Sequence, residues 1–235
     1  MDVMPAPPRR EHAPELMDFP HPRPVMEVCL TELERLNRLL GVRRLVWGHL
    51  RRFLRPGDRA LTVADVATGG ADLPRAFAAW GRLNGIVVRA IAIDNHPMTT
   101  LIARDRSAAF PEIQVVQGDA GALPLEDRSV DVALFTSGLH HLRRSKAIDA
   151  LRELDRIGRR GFLVTDLVRT WGAYLGARAL AVLLLRSPLT RADGPRSVLR
   201  AYTPAEARAL LAETGIAGVT IMPAPLFRLA MVKRA

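Results

Sequence analysis

The chain has 235 residues, 49% of them hydrophobic and 25% charged, so its composition is that of a globular protein and excludes a disordered or fibrous architecture. The formal net charge is +10, but the basic residues are almost all arginines spread among acidic residues, without the clustering of a nucleic-acid-binding face. Cys29 is the single cysteine, which excludes an internal disulfide and fits a reducing compartment.

The N-terminal residues 1–23 are polar and rich in proline, which predicts a flexible or draped lead-in. They contain no apolar run of the signal-peptide type. The longest apolar segment, residues 171–185, is interrupted by Arg178 and is too short to cross a membrane. We therefore expect a cytoplasmic protein without a membrane span.

Two helical patterns follow the lead-in, over residues 24–40 and 42–54. Apolar residues recur there at intervals of three and four, and Pro56 with Gly57 marks a turn at the end. We interpret residues 24–56 as N-terminal cap helices that precede the main domain, residues 57–235.

Buried strands then alternate with helices. The predicted strands are residues 60–67, 86–94, 113–119, 130–138 and 160–167, and the helices between them are residues 71–83, 96–109 and 145–157. Strands that are apolar on both faces and separated by helices predict a doubly wound α/β fold with a mostly parallel sheet. After a last helix, residues 203–215, two short strands around a proline-containing turn predict an antiparallel hairpin at the sheet edge.

In such a sheet, ligands bind beyond the carboxyl ends of the strands. The first strand leads into the loop "DVATGGAD", residues 65–72, whose Asp65 is costly to bury without a partner. Asp94 ends the second strand, and its carboxylate can accept hydrogen bonds from both hydroxyls of a ribose. Asp119 ends the third strand and, with the N–H of Ala120, can address the edge of an amino-purine.

The loops allow two other interpretations. Asp94 and Asp119 could instead cap the helix or turn that follows each of them. A nicotinamide dinucleotide site is disfavoured because its three-glycine spacing is absent from residues 65–72.

Taken in order, these segments resemble the class I S-adenosylmethionine-dependent methyltransferases, in particular the small-molecule enzymes that include quinone-biosynthesis methyltransferases. The resemblance runs from Leu61 to Leu167 through "VADVATGGAD", "AIAIDNHP", "VQGDAGALPLEDRSVDVALFTSGLHHL" and "RELDRIGRRGFLVTDL", and it continues in the terminal hairpin. It implies a Rossmann-like methyltransferase fold with a seven-stranded sheet, and S-adenosyl-L-methionine as the cofactor.

The resemblance also implies which residues contact that cofactor. Its methionine part would be held by Asp65, Ala67, Thr68 and Gly69. Asp94 would bind the ribose, with Asn95 beside it, and Asp119 with Ala120 would bind adenine. The family carries alternating glycines in the first loop, whereas this chain has Ala67, Gly69 and Ala71. Because alanine resists a positive φ, we expect an ordinary backbone at the two alanines, with Gly70 supplying part of the lost flexibility.

His140 and His141 follow the fourth strand, where a methyl acceptor would sit. The ordinary pKa of histidine, about 6.5, suits removal of a proton from a phenol or another hydroxyl. Alternatively, both rings only hydrogen-bond the neighbouring backbone. No metal site is predicted, because the other histidines are scattered and adjacent residues rarely point at one ion.

Residues 168–202 are too long for an ordinary connection and too apolar for a solvated loop. We expect a cap insertion over the substrate end of the sheet, in which Trp171, Tyr174, Leu175 and Tyr202 wall a pocket for an aromatic or lipid-like acceptor. The alternative is an amphipathic helix, residues 173–185, that packs on the N-terminal cap helices.

The segments "LNRLLGVRR", "DLPRAF" and "ADGPRSVLRAYTPAE" resemble a bacterial subgroup found with polyketide and phenolic-lipid pathways. This implies O-methylation of a small, largely apolar acceptor in natural product biosynthesis, with C-methylation of an activated aromatic or quinone ring as the close alternative. Two further alternatives stay open, an RNA methyltransferase, motivated by the net charge, and a cofactor-binding homologue that does not methylate. We expect a small-molecule partner and no stable nucleic-acid complex.

Overall fold

A computed structural model describes residues 8–235 and contains a seven-stranded sheet with strand order β3-β2-β1-β4-β5-β7-β6. The strands are β1 Ala60–Val66, β2 Val87–Asp94, β3 Ile113–Gln117, β4 Val132–Thr136, β5 Gly161–Leu167, β6 Val219–Ala224 and β7 Arg228–Arg234. Strands β1 to β5 pair in parallel, and β7 lies antiparallel between β5 and β6. The predicted mostly parallel sheet with an antiparallel terminal hairpin is confirmed.

The described helices are α1 Arg23–Leu39, α2 Val42–Leu50, α3 Asp72–Asn84, α4 Pro97–Arg106, α5 Arg144–Ile157, α6 Trp171–Leu183, α7 Pro188–Arg200 and α8 Pro204–Thr214. Helices α2 and α3 pack on one face of the sheet, and α5 and α8 pack on the other. Alternate residues of β1 point to these two layers, because successive side chains of a strand face opposite ways. None of the helices within residues 8–235 has the length and apolarity needed to cross a membrane.

The two helices interpreted as a cap take different positions. Val42, Val46 and Leu50 of α2 are fully buried against the sheet, together with side chains of β1, β4 and β5. Helix α1 instead contacts α4 and α7 at the carboxyl end of the sheet. The first helix therefore covers the region where ligands bind, and the second belongs to the core.

The described part of the lead-in, residues 8–22, is packed against the cap. The Asp193 carboxylate on α7 accepts hydrogen bonds from the backbone N–H groups of Leu16 and Met17, at 2.7 and 3.0 Å. The guanidinium of Arg10 lies 3.7 Å from the centre of the Tyr202 ring. Residues 1–7 of the predicted lead-in lie outside the described residues.

Helix α7 has no counterpart in the sequence-based prediction. Gly194 and Pro195 are residues that disfavour a helix interior, and Pro195 lies inside this one. The helix begins at Pro188, a favourable first position, and it buries Thr190, Asp193, Val198 and Arg200. Tertiary contacts therefore outweigh the local preference of this segment.

Candidate active site

A cavity of about 570 Å³ lies at the carboxyl ends of β1 and β4, beneath α1, α6 and α7. This volume is typical of a small-molecule site. The lining is mainly apolar, with leucines of α1 and small residues of α6. Its polar part includes the loop after β1, Glu15, His140, His141, Ser197 of α7 and Arg228 of β7. The cavity thus joins the predicted cofactor loop to the predicted histidines.

The loop after β1 folds back onto the end of β2 through two hydrogen bonds, and a third bond ties it to Asp65 of β1. The Thr68 hydroxyl donates to Asp65 Oδ2 at 2.7 Å, and the Thr68 N–H donates to the Ile93 carbonyl at 2.9 Å. The Gly69 N–H donates to Asp94 Oδ2 at 2.9 Å. Asp65, Ala67, Thr68 and Gly69 all line the cavity.

The backbone of this loop corrects one expectation. Ala67, Gly69 and Ala71 have φ values of 53°, 56° and 57°, so both alanines adopt the left-handed conformation instead of an ordinary one. A tight reversal between β1 and α3 places every second residue there, and Gly70 is not among the residues with positive φ. An alanine held in this region costs about 1–2 kcal/mol relative to right-handed backbone.

The carboxyl groups of Asp65 and Asp94, beside this loop, have pKa values raised by burial. Burial raises the pKa of Asp65 to about 7, and the nearby Asp72 and Asp94 add to the shift, against the hydrogen bond from Thr68. Burial likewise raises the pKa of Asp94, although N–H groups of His96 and Gly69 oppose it. A cationic ligand would stabilise these groups, and a cofactor that carries a sulfonium and an ammonium fits this requirement.

Helix α1 holds the loop from above. Glu34 Oε1 and Oε2 accept hydrogen bonds from Arg43 and Arg75, both at 2.8 Å. The Arg75 guanidinium also donates to the carbonyl of Gly70. The loop conformation is therefore fixed by side chains of two helices as well as by its own backbone.

The remaining predicted cofactor residues lie at neighbouring strand ends, outside the cavity lining. Asp94 Oδ1 accepts the His96 N–H at 3.0 Å, and Asp119 Oδ1 accepts the Gly121 N–H at 2.7 Å. Both aspartates therefore make the local turn bonds that the capping alternative predicts. The Gly118 N–H donates to the Asp94 carbonyl at 3.0 Å and ties the ends of β2 and β3 together. Asn95 is exposed and Ala120 is partly buried, beside these two carboxylates.

Gly138, just after β4, packs against the cofactor loop. A Cβ built on this residue would lie 2.2 Å from the Phe135 ring and 2.8 Å from the Ala67 Cβ. No side chain fits at such distances, so glycine is required for the turn that carries His140 to approach the loop.

His140 is buried and oriented by Asp166. Its Nδ1 lies 2.6 Å from Asp166 Oδ1, and its backbone N–H donates to Asp166 Oδ2 at 2.9 Å. Asp166 lies near the end of β5 and is 3% exposed. Burial alone would raise the pKa of this carboxyl, but the His140 ring and backbone N–H groups bring it below the ordinary value.

His141 faces the lead-in. Its Nδ1 lies 3.0 Å from Asp18 Oδ1, and its Nε2 lies 3.7 Å from Glu15 Oε2. Burial lowers the pKa of His141, but the hydrogen bond to Asp18 and the charges of Glu15 and Asp18 raise it to about 9. The His140 Nε2 lies 3.5 Å from the other oxygen of Glu15.

One face of α7 holds this group of residues together. Asp193, Ser197 and Arg200 follow a spacing of four and three, which places them on the same side of a helix. Ser197 Oγ donates to Glu15 Oε1 at 2.9 Å. Arg200 donates to the carbonyls of His140 and His141, at 3.3 and 2.7 Å.

The four predicted acceptor residues lie outside the cavity lining. Helix α6 instead turns Ala173, Gly176, Ala177 and Leu180 toward the cavity. Trp171, Tyr174 and Leu175 are displaced by two residues from this set, which rotates them about 200° around the helix. Tyr202 is buried, and its hydroxyl donates to the Leu142 carbonyl at 3.2 Å.

Sequence reasoning missed Glu15, Asp166 and the polar face of α7. Asp166 could have been found, because it comes near the end of a strand that neighbours β4 and so reaches the same edge of the sheet. Glu15 gave no local signal, since it lies in a proline-rich segment.

Comparisons with known proteins find similarity to methyltransferases. Residues 63–161 match a model described as "Methyltransferase domain". The chain is 36% identical over 107 residues to the Ubiquinone/menaquinone biosynthesis C-methyltransferase UbiE of Ectopseudomonas mendocina (strain ymp), a match that covers 44% of this chain and 39% of that protein. The chain thus spans about two fifths of the length of this relative.

Two solved structures share the fold. A SAM-dependent methyltransferase from Aquifex aeolicus superposes with a TM-score of 0.60 at 19% identity, over 86% of this chain and 95% of that one. A Methanococcus maripaludis protein assigned to the same class superposes with a TM-score of 0.62 at 18% identity, over 88% and 92% of the two chains. At these identities the likeness is one of fold.

Proposed function

The chain carries a class I S-adenosylmethionine-dependent methyltransferase domain, and we propose that it methylates a small, largely apolar acceptor at a phenolic or polyketide-derived hydroxyl. The observation that carries this proposal is the cavity itself. It joins the loop after β1 to the buried His140 and the partly exposed His141, between mainly apolar walls. One end of the cavity suits the cofactor, and the other suits an apolar molecule with one ionisable group.

At the cofactor end, the chain supplies negative charge and backbone amides. Asp94 accepts hydrogen bonds from the ribose hydroxyls with its free lone pairs, and Asp119 with the Ala120 N–H binds adenine. Asp65 and the loop through Gly69 hold the methionine part. The bound cofactor supplies an electrophilic methyl group on a cationic sulfur. The raised pKa of Asp65 supports this assignment, because a cation nearby relieves the cost of that buried carboxylate.

At the acceptor end, the chain positions the hydroxyl and removes its proton. Asp166 occupies Nδ1 of His140, so Nε2 is the nitrogen left to face the acceptor. This nitrogen of His140 accepts the proton as the methyl group is transferred, while His141 and Glu15 help to position the hydroxyl. The apolar walls exclude water, so positioning and desolvation contribute much of the rate.

A second candidate, C-methylation of an activated aromatic or quinone ring, is favoured by one observation. The curated relative with 36% identity is named as a C-methyltransferase of ubiquinone and menaquinone biosynthesis. A ring carbon also loses a proton after it gains the methyl group, so His140 can serve as the base for either product.

Cofactor binding is tested by isothermal titration of the full chain with S-adenosyl-L-methionine and with its demethylated product. We expect saturable binding of both ligands. A titration without heat or saturation for either ligand contradicts the cofactor assignment.

The acceptor is tested with cofactor labelled with ¹³C in the methyl group and a panel of alkyl phenols, phenolic polyketides and quinols. The chemical shift of the transferred carbon distinguishes a methoxy group from a ring methyl. A methoxy product supports the proposal, and a ring methyl product supports the second candidate. Transfer to structured RNA but to none of the panel contradicts both.

A further inference from the structure

Glu15, His140 and His141 form a cluster whose geometry the methyl-transfer proposal does not explain. One ligand atom from each residue lies within 4.8 Å of the others. The Nδ1 of each histidine is held by an aspartate, His140 by Asp166 and His141 by Asp18. Both Nε2 atoms are therefore left to face Glu15 and the cavity.

The separations within this cluster are too long for hydrogen bonds. The Nε2 atoms of His140 and His141 lie 3.5 and 3.7 Å from the two oxygens of Glu15, beyond the roughly 2.7–3.2 Å of a good N–H···O bond. With bonds of about 2.0–2.1 Å, two ligands of a tetrahedral metal ion lie about 3.3 Å apart. Each histidine is therefore spaced from Glu15 as two ligands of one ion would be, and the ligand atoms of all three residues lie within 4.8 Å of one another.

The surroundings of the cluster match those of metal ligands. A histidine that binds a metal ordinarily donates its other N–H to a carboxylate or carbonyl, which fixes the ring and its tautomer. Both histidines have that carboxylate here. Ser197 Oγ fixes one oxygen of Glu15 at 2.9 Å in the same way.

The local charge also favours a cation. Glu15 and Asp166 are 2% and 3% exposed, and Asp18 completes three carboxylates around the two rings. The buried Arg200 lies 3.9 Å from Glu15 and contributes one positive charge. The buried Arg228 interacts with Asp166 and adds a second positive charge. With the neutral imidazoles that metal binding requires, three negative charges face two positive charges, and buried charge without a partner is costly.

We propose that Glu15, His140 and His141 bind a divalent transition-metal ion of the Zn²⁺ class, with a coordination position open to the cavity. Two imidazoles and one carboxylate suit Zn²⁺, Fe²⁺ or Co²⁺, whereas Mg²⁺ prefers oxygen ligands throughout. All three residues line the cavity, so the ion faces the acceptor end.

This inference rests on the proposed function for the identity of the acceptor, and it changes how the acceptor loses its proton. A cation at this position attracts the acceptor oxygen and favours loss of its proton to water. The histidines are then ligands, and neither of them needs to act as the base.

The test is a spectroscopic titration of the chelator-treated full chain with Co²⁺, whose visible absorption reports nitrogen and oxygen ligands. We expect one equivalent to bind and Zn²⁺ to displace it. His141→Ala and Glu15→Gln should each weaken binding at least 10-fold, and Asp18→Asn about 10-fold, the range for partners of metal ligands. Glu11→Gln, on the same segment but paired with Arg196, is the matched control and should bind as the unaltered chain does.

Binding of the demethylated cofactor by each variant shows that it is folded. The partly exposed His141 is the safer substitution if Glu15→Gln does not fold. No saturable Co²⁺ binding, or equal binding by His141→Ala, overturns the metal site and leaves the methyltransferase proposal intact. Conversely, one-equivalent Co²⁺ binding in a chain that never binds the cofactor supports the metal site while contradicting the proposed function.

Discussion

The two ends of the cavity are built in different ways. The proposed cofactor end is one continuous loop, residues 65–72, and Asp94 and Asp119 follow on the next two strands, outside the cavity lining. The acceptor end combines the lead-in, the turn after β4, the end of β5 and one face of α7. Asp18 and His141, which contact each other, are 123 residues apart, and Leu16 and Asp193 are 177 apart.

This difference affects how each end responds to change. The cofactor end depends on backbone conformation and on hydrogen bonds within and around one local motif. The acceptor end depends on long-range contacts, so a substitution in α7 or the lead-in displaces the histidines without touching them. A variant of one end should therefore leave the other end largely intact, and this separation can be tested.

The largest effect is expected from Asp166→Asn at the acceptor end. An amide in this place can present its NH₂ to Nδ1 and hold the wrong tautomer of His140, so Nε2 no longer faces the acceptor as required. Turnover should fall at least about 100-fold, while affinity for the demethylated cofactor changes less than twofold. Steady-state kinetics measures the turnover, and calorimetric titration measures the affinity for the demethylated cofactor. Asp155→Asn, which removes a partly exposed ion pair with Lys233, is the control and should keep its rate.

At the cofactor end, Asp94→Ala should weaken cofactor binding about 100-fold. The substitution removes charge-assisted hydrogen bonds to the ribose, each worth about 1.5–3 kcal/mol, and it also releases the Gly69 and His96 N–H groups. Calorimetric titration with the demethylated cofactor measures the loss, with Asp127→Ala as the matched surface aspartate. Unchanged affinity would place the ribose site elsewhere.

The buried Asp65 predicts a pH dependence of stability for the cofactor-free chain. Its pKa is raised to about 7 in the folded state, above an ordinary value of about 3.9. The folded state therefore holds an extra proton between these values, and stability falls as pH rises from about 4 to 7, by at most about 1.4 kcal/mol per pH unit. Urea unfolding measures the free energy of unfolding at pH 5 and at pH 8. The stability of Asp65→Asn relative to the unaltered chain should be greater at pH 8 than at pH 5. A difference that is the same at both pH values argues against the shift.

The smallest effect is expected when glycine replaces the two alanines that have a left-handed backbone conformation. Ala67 is exposed and has a φ of 53°, so Ala67→Gly should stabilise the chain by about 1 kcal/mol. Ala71→Gly should gain less, because its buried methyl group packs with Ala92 and Ala103. Ala177→Gly in α6 is the control and should destabilise by about 1 kcal/mol. If Ala67→Gly destabilises as much as this control, the backbone of the loop is not strained.

The difference between a local loop at one end of the cavity and long-range contacts at the other explains what the sequence could predict. The strands, the hairpin and the aspartates after β1, β2 and β3 follow from short-range patterns, because the carboxyl ends of parallel strands share one edge of the sheet. The backbone at Ala67 and Ala71 could not be predicted from residue type, since the rest of the turn forces them into a conformation that alanine disfavours. Hydrogen bonds to Asp94 and the contacts of α3 outweigh that local cost.

The acceptor end was harder to predict. Glu15 sits in a segment with no periodic pattern, and its partners are on α7 and after β4. Helix α7 carries the two helix-disfavouring residues Gly194 and Pro195, and α6 is apolar around much of its circumference, so the face that meets the cavity could not be identified from the spacing alone. Only the adjacent His140 and His141 indicated that chemistry takes place here.

The most direct test of the proposed methyl transfer is a crystal structure of the chain with the demethylated cofactor bound. The account predicts that the ribose hydroxyls contact Asp94, and that the sulfur opens into the cavity toward Glu15, His140 and His141. A cofactor that binds without contacting Asp94, or whose sulfur faces away from these three residues, would contradict it.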